Sequence, residues 1–173
     1  MTTALPRPAP EAQAFRAPAP SVRFARAEDA GRLVALSGPF VRAGALRERP
    51  LSLYAAHAAD FLVAESPGGR LDGCVGLTVY PAGPVPGGAP TGVLYNFCVA
   101  ERRQGCGVGS VLLSAALALA RARSLGALFT ATTGDGRLFE RYGFGPAVPS
   151  AAPRSWAESL DPRRGARVLA RAV

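Results

Sequence analysis

Lysine is absent from the 173 residues, histidine and tryptophan occur once each, and cysteine occurs three times. Each scarcity excludes a class of function. Without lysine there can be no nucleotide loop of the type that ends in Gly-Lys-Ser/Thr and reaches the distal phosphates with an ammonium group. A lone His57 cannot build a histidine-based metal cluster. Cys74, Cys98 and Cys106 are odd in number and hold no Cys-x-x-Cys pair, which argues against a disulfide framework or a zinc site. Long apolar runs are missing as well. The uncharged stretch 111–120 is far too short to span a bilayer, and no charged start followed by an apolar segment precedes a cleavage site. The expectation is a soluble, cytoplasmic protein with no membrane partner and no bound metal.

Arginine, alanine, glycine and proline are plentiful. The net charge of +8 comes from arginine alone. Such basicity ordinarily points to nucleic acid or an acidic membrane. Here the arginines are scattered, aromatics make up only 8%, and no stacking ladder or basic helix is present, so no nucleic-acid partner is expected. The positive field would still gather a small polyanion. Pro6, Pro8, Pro10, Pro18 and Pro20 among alanines prevent residues 1–20 from forming a helix or packing a core, and they are expected to be a flexible tail. Residues 21–173 then suit one domain.

Within that domain, strands are expected at 21–25, 61–65, 71–80, 93–99, 128–133, 144–148 and 167–171. Helices are expected at 28–36, 40–46, 51–59, 108–124 and 136–142, with Ser37-Gly38-Pro39 separating the first two. Trp156 and residues 160–165 read as a turn before the last strand, and the Pro/Gly run 81–90 as a long loop. Sequential hairpins with one βαβ crossover indicate an α/β (α+β) fold. It would have a mixed, mostly antiparallel twisted sheet with helices on both faces.

The most informative stretch is Val99-Ala100-Glu101-Arg102-Arg103-Gln104-Gly105-Cys106-Gly107-Val108-Gly109-Ser110. It joins a β-rich run to an alanine/leucine helix through a glycine-dense loop. A helix start leaves four N–H groups without partners, and the aligned peptide dipoles add about half a positive charge there. Glycines at 105, 107 and 109 clear side chains away from those donors, and Arg102 and Arg103 stand beside the loop as cations. The loop therefore reads as a phosphate cradle. The dinucleotide fingerprint fits it poorly: Ser110 stands where the third glycine belongs, and no carboxylate follows about twenty residues on. Cys106 has two readings, a thiol activated at a helix N-terminus or a small filler whose N–H is the useful part.

Gln104-x-x-Gly107-x-Gly109 resembles the Arg/Gln-x-x-Gly-x-Gly/Ala signature of the GNAT superfamily of acetyl-CoA-dependent N-acyltransferases. Downstream, Arg137-Leu138-Phe139-Glu140-Arg141-Tyr142-Gly143-Phe144 resembles that family's later aromatic motif closing in Gly-Phe. Within the superfamily the chain is most similar to the acetyltransferase domain of N-acetylglutamate synthases. That similarity rests on Phe40-Val41-Arg42-Ala43-Gly44-Ala45-Leu46 with Arg49, on Asp60-Phe61-Leu62-Val63-Ala64-Glu65, and on Gly73-Cys74-Val75-Gly76-Leu77. Those synthases usually carry Glu and Arg on the strand before the loop, where this chain has Val93 and Tyr95. Neither Val nor Tyr can clamp a carboxylate as Arg does.

The resemblance implies acetyl-CoA as cofactor and a small-molecule amine as substrate, an amino acid or a related amine. It also implies homodimer formation. The backbone at Cys98 and Val99 would follow the pantetheine arm, with the Val99 N–H polarising the thioester carbonyl. The N–H groups of Gln104, Gly105, Cys106, Gly107, Val108, Gly109 and Ser110 would hold the pyrophosphate. Phe139 takes the place where many relatives have the tyrosine that protonates the leaving thiolate, and Tyr142, one turn on, is a candidate for that proton. Tyr95 and Asn96 on the central strand are the substrate-contact candidates. Asn96, Tyr95, Glu101, Asp60, His57 and Asp135 are the polar groups from which a base for the amine could come. The rival to an enzyme is a non-catalytic acetyl-CoA sensor with the same fold.

Overall fold

The computed structural model describes residues 20–82 and 88–173. The expected flexible tail, apart from Pro20, and the middle of the 81–90 loop lie outside the described residues. Seven strands form one open sheet: β1 (Ser21–Phe24), β2 (Phe61–Glu65), β3 (Leu71–Tyr80), β4 (Thr91–Val99), β5 (Ala127–Thr132), β6 (Gly145–Pro146) and β7 (Arg167–Ala172). Their order is β1-β2-β3-β4-β5-β7-β6, and only the β4–β5 pairing is parallel. Among the described residues five α-helices complete the domain: α1 (Ala30–Arg42), α2 (Leu51–Ala56), α3 (Val108–Ala122), α4 (Arg137–Arg141) and α5 (Arg154–Glu158). The expected crossover is α3, which carries the chain from β4 to its parallel neighbour.

The two sheet faces are filled differently. Helix α3 presents Val108, Leu112, Leu113, Ala116, Leu117 and Ala120 as one buried stripe at helical spacing. This stripe meets Leu62, Val75, Leu77, Leu94 and Leu128 from the strands, and Phe139 and Phe144 close the same cluster. Each fully buried leucine contributes about 1.5–3 kcal/mol. On the opposite face Leu33 of α1 and Tyr54 of α2 pack on Phe61, Val63, Cys74 and Cys98. Farther along that face Val93, Phe129 and Val168 are covered by Trp156 and Leu160.

Three local expectations need correction. Ser37-Gly38-Pro39 does not break the first helix, because α1 runs unbroken through Pro39 to Arg42. Leu33, Leu36, Ser37 and Phe40 are spaced 3, 1 and 3 apart, so one stripe faces the sheet on both sides of the proline, and that packing outweighs its missing N–H. The strand expected at 144–148 shrinks to Gly145–Pro146, with Phe144 turned into the core instead. Trp156 sits on the short helix α5 rather than in a turn.

Candidate active site

Helix α3 begins without a cap. Gly107 is its N-cap residue at φ +82°, and no side chain among the described residues bonds the first N–H groups. The first ladder bond runs from the Val111 N–H to the Gly107 carbonyl at 3.1 Å, so the amides of Val108, Gly109 and Ser110 are unpaired within the helix. Gly105 also has positive φ, +75°, and a β-carbon added at either glycine would meet nothing within 4 Å. Open space therefore lies in front of the donors. Gly109 has a different duty, since a β-carbon there would stand 3.0 Å from Leu138 and 3.5 Å from Phe97. It lets the helix start settle against β4 and the approach to α4.

Arg102 and Arg103 are committed to Asp72, a carboxylate only 1% exposed at the start of β3. Arg102 donates to its Oδ1 at 2.7 Å, while Arg103 Nε lies 3.1 Å from Oδ2 at an angle that makes an ion pair without a hydrogen bond. The two cations expected to flank the phosphate directly instead brace the turn before the loop. Gln104 braces it too, its side-chain amide donating to the Val99 carbonyl at 3.2 Å. Cys106 is exposed in the loop with its Sγ 3.7 Å from the Gln104 carbonyl.

Strands β4 and β5 part company beside this loop. Their pairing stops at Leu94 and Thr130, where the Thr130 hydroxyl donates to the Leu94 carbonyl at 3.2 Å, yet β4 continues to Val99. The Ala100 N–H reaches back to the Asp72 carbonyl on β3, so strand alternation turns the Val99 and Phe97 amides the other way, toward the gap. Cys98 has its side chain on the α1/α2 face, where its sulfur lies 3.6 Å from Cys74 Sγ.

A bulge in β4 explains why Tyr95 and Asn96 act together. Cys74 pairs with Cys98 and Gly76 with Tyr95, so two steps of β3 face three of β4. Asn96 takes φ +50°, a conformation that asparagine tolerates better than most residues. The side-chain alternation is reset there, and Tyr95 and Asn96 both point to the α1/α2 face. The Tyr95 ring lies directly on Gly76, where any β-carbon would come within 2.4 Å of it. Asn96 is buried with every valence used: Oδ1 accepts from Arg49 at 3.2 Å and Tyr54 at 3.3 Å, and Nδ2 donates to Ser37 at 3.0 Å and to Cys74 Sγ at 3.6 Å.

These two residues form part of the floor of a cleft of about 540 Å³. One wall is the segment between α1 and α2, and the other is the chain from α5 to β7. Arg47, Arg49 and Arg164 line it. Arg49 stacks over the Tyr95 ring at 5.0 Å, and burial pulls its guanidinium below the ordinary arginine value. No carboxylate among the described residues pairs with any of the three. Arg47 and Arg164 each donate across the cleft instead, to the Ser159 and Gly44 carbonyls. In the sequence Arg49 stood out only by its motif position and Arg164 only as part of a basic pair that read as solvated surface, while nothing marked Arg47 or Trp156 as site residues. Burial pushes the Tyr95 phenol up to about 12, with Asp60 adding to the shift. His57, also on the cleft, has Nδ1 3.2 Å from Asp60.

Phe139 and Tyr142 belong to the α3 face. Phe139 is buried against Phe97 and Phe144, with ring centres 5.4 and 5.5 Å apart. Tyr142 donates its hydroxyl to the Ser110 carbonyl at 3.0 Å and sits 3.1 Å from the Ser114 hydroxyl, which fastens α4 to α3. Glu101 and Asp135 are exposed, the latter bonded to the Arg137 N–H. Among the described residues no helix is long and apolar enough to cross a membrane.

An uncapped helix start beside two parted parallel strands, in a mixed seven-stranded sheet, defines a class of acyltransferase fold. The sequence model of the acetyltransferase (GNAT) family matches residues 32–144, and the chain belongs to that family. That family is one of acetyltransferases. The resemblance to N-acetylglutamate synthases has a structural counterpart. The synthase from Neisseria gonorrhoeae, solved with coenzyme A and N-acetyl-glutamate, is 26% identical with a TM-score of 0.77 over 88% of this chain. This chain spans about a third of that protein, 34% of its length. Rv2747 from Mycobacterium tuberculosis, solved with CoA and NLQ, is 21% identical with a TM-score of 0.73, covering 89% of this chain and 99% of its own. Ard1 from Thermoplasma volcanium shares the fold at 20% identity and a TM-score of 0.67, covering 90% and 99%. No curated protein matches the sequence.

Proposed function

We propose that this chain transfers the acetyl group to the amine of a small carboxylate-bearing molecule, an amino acid or a related amine, by direct attack in a ternary complex. The observation that carries this is Arg49, a half-buried guanidinium held by Asn96 and Tyr95 and ion-paired to no carboxylate among the described residues. A desolvated cation without a counter-ion is costly, and a substrate carboxylate would offset that cost with bidentate hydrogen bonds.

Acetyl-CoA supplies the activated acyl group. The amides of Gly105 and of Gly107 through Ser110 bind its pyrophosphate at the helix start, while those of Gln104 and Cys106, expected to join them, are spent on the Glu101 and Arg103 carbonyls. The backbone of Cys98 and Val99 runs beside the pantetheine arm, and the Val99 N–H, aimed into the strand gap, polarises the thioester carbonyl. Asn96 is a positioning residue, since its amide is fully occupied in fixing Arg49. Tyr95 contacts the acceptor as an aromatic floor. Tyr95 is held protonated and its hydroxyl cannot serve as a base near neutrality, so water or His57, which also lines the cleft, carries the amine's proton away. Tyr142 anchors α4, its proton being given to the Ser110 carbonyl.

The test is thiol release from acetyl-CoA across matched amines with and without a carboxylate. Amino acids should turn over at least tenfold faster than their decarboxylated counterparts, and Arg49→Gln should erase most of that difference through KM. Equal rates for the two sets would refute the carboxylate assignment. Tight coenzyme A binding with no turnover on any amine would point to a sensor instead.

A further inference from the structure

We infer that the preferred acceptor is an amino acid with a large apolar side chain rather than a dicarboxylate. This rests on the carboxylate reading above and extends it to the rest of the molecule held in the cleft.

The cleft has two chemically different ends. Arg47, Arg49 and Arg164 lie close enough that the first and last lower the Arg49 guanidinium further by their charge. Arg49 stands above Tyr95 and Asn96, on the far side of the bulge in β4. Two residues back along the strand, about 7 Å at the usual rise, the same face presents Val93. From there the floor runs across β5 and β7 through Ala131 and its register partner Val168, a width of about 10 Å at strand spacing. Trp156 and Leu160 roof this strip, with the Trp156 ring 6.5 Å from Phe129. Val93 and Val168 are each less than 10% exposed, and with Ala131, Trp156 and Leu160 they make the apolar part of the cleft lining.

An amine lying at the gap between β4 and β5, with its carboxylate on Arg49, has its side chain directed along this strip. A second carboxylate placed there would be desolvated without a partner, since Val93 contributes neither charge nor hydrogen bond. A leucine or phenylalanine side chain instead covers apolar surface that is already dry. Arg47 and Arg164 do not change this outcome. Each spends a donor on a carbonyl of the opposite wall, Arg47 on Ser159 and Arg164 on Gly44, which leaves less of either for a second carboxylate.

Trp156 is the only tryptophan in the chain, so its emission reports directly on the apolar end. The full chain, saturated with coenzyme A, would be titrated with L-phenylalanine, L-leucine, L-glutamate and phenethylamine while tryptophan fluorescence is followed. Thiol release from acetyl-CoA would be measured with the same four amines. Phenylalanine or leucine should shift the emission and exceed glutamate at least tenfold in kcat/KM. Trp156→Ala should narrow that ratio at least fivefold through KM, and Trp156→Phe, which keeps a ring on Phe129, should largely preserve it. Glutamate matching or exceeding phenylalanine, with phenethylamine inert, would overturn the side-chain preference and leave the carboxylate reading intact. Phenethylamine matching phenylalanine, with both above glutamate, would do the reverse. Four inert amines with unchanged fluorescence would overturn both.

Discussion

Replacing Asp72 with asparagine removes one charge from the place where the fold holds its cofactor loop. The carboxylate is 1% exposed and lies between Arg102 at 2.7 Å and Arg103 at 3.1 Å. Breaking a buried ion pair from one side typically costs about 3–5 kcal/mol, because the abandoned charge stays desolvated. Arg102 is 41% exposed on its side chain and can turn to water, whereas Arg103, at 18%, cannot do so freely. The cost should therefore fall near the lower end, about 3 kcal/mol. With a urea slope of about 2 kcal/mol/M, the unfolding midpoint would drop by about 1.5 M. The next residues are the loop itself, tied back by the Arg103 N–H to the Ala100 carbonyl at 2.7 Å. Asp72→Asn should therefore also weaken coenzyme A binding about tenfold in calorimetry, although the side chain never meets the ligand. A midpoint within 0.3 M of the parent, with unchanged affinity, would show that the arginines need no counter-ion and that the bracing described here is wrong.

The loop and α4 can be probed in the same way. Gly107→Arg should abolish the calorimetric signal with coenzyme A while circular dichroism stays native, since the new β-carbon meets nothing within 4 Å and the φ of +82° costs only about 1–2 kcal/mol. Normal binding by that variant would contradict the cradle. Tyr142→Phe should lose about 1 kcal/mol of stability with the bond to the Ser110 carbonyl and keep kcat within threefold. A larger fall in kcat at unchanged KM would identify the hydroxyl as the proton donor to the thiolate. Burial raises the Tyr95 phenol from 10.0 to about 12, so its contribution to stability is complete below pH 10 and disappears between pH 10 and 12. Tyr95→Phe should flatten that alkaline decline in a pH series of urea melts. Part of the slope will persist, because burial raises Tyr54 in the same direction.

The uncapped glycine loop proposed to hold the cofactor was legible because main-chain geometry leaves a compositional trace. Glycines at 105, 107 and 109 ahead of an alanine/leucine helix allow few other structures. The strands were legible for the same local reason, as alternation bounded by turn residues. The acceptor half depends on contacts between distant segments. Arg47 bonds across 112 residues to Ser159, and Arg164 across 120 residues to Gly44, and no spacing rule brings such partners together. The bulge was hidden as well, because an asparagine inside a strand pattern signals it only weakly. Arg102 and Arg103 looked like ligand-facing cations for want of their partner, since Asp72 is 30 residues away on another strand. Pro39 misled through its local preference, which the apolar stripe on both sides of it overrode.

The parting of β4 and β5 also divides the molecule mechanically. Four residue pairs, Thr91 with Ala127 through Leu94 with Thr130, are the whole ladder between the β1–β4 block and the β5–β7–β6 block. On the placement proposed above, a slender thioester carrier whose own amides bond to the free edge of β4 would act as a splint across a seam. Occupancy should consequently slow solvent exchange of amides on both sides of the join, far beyond the atoms it touches.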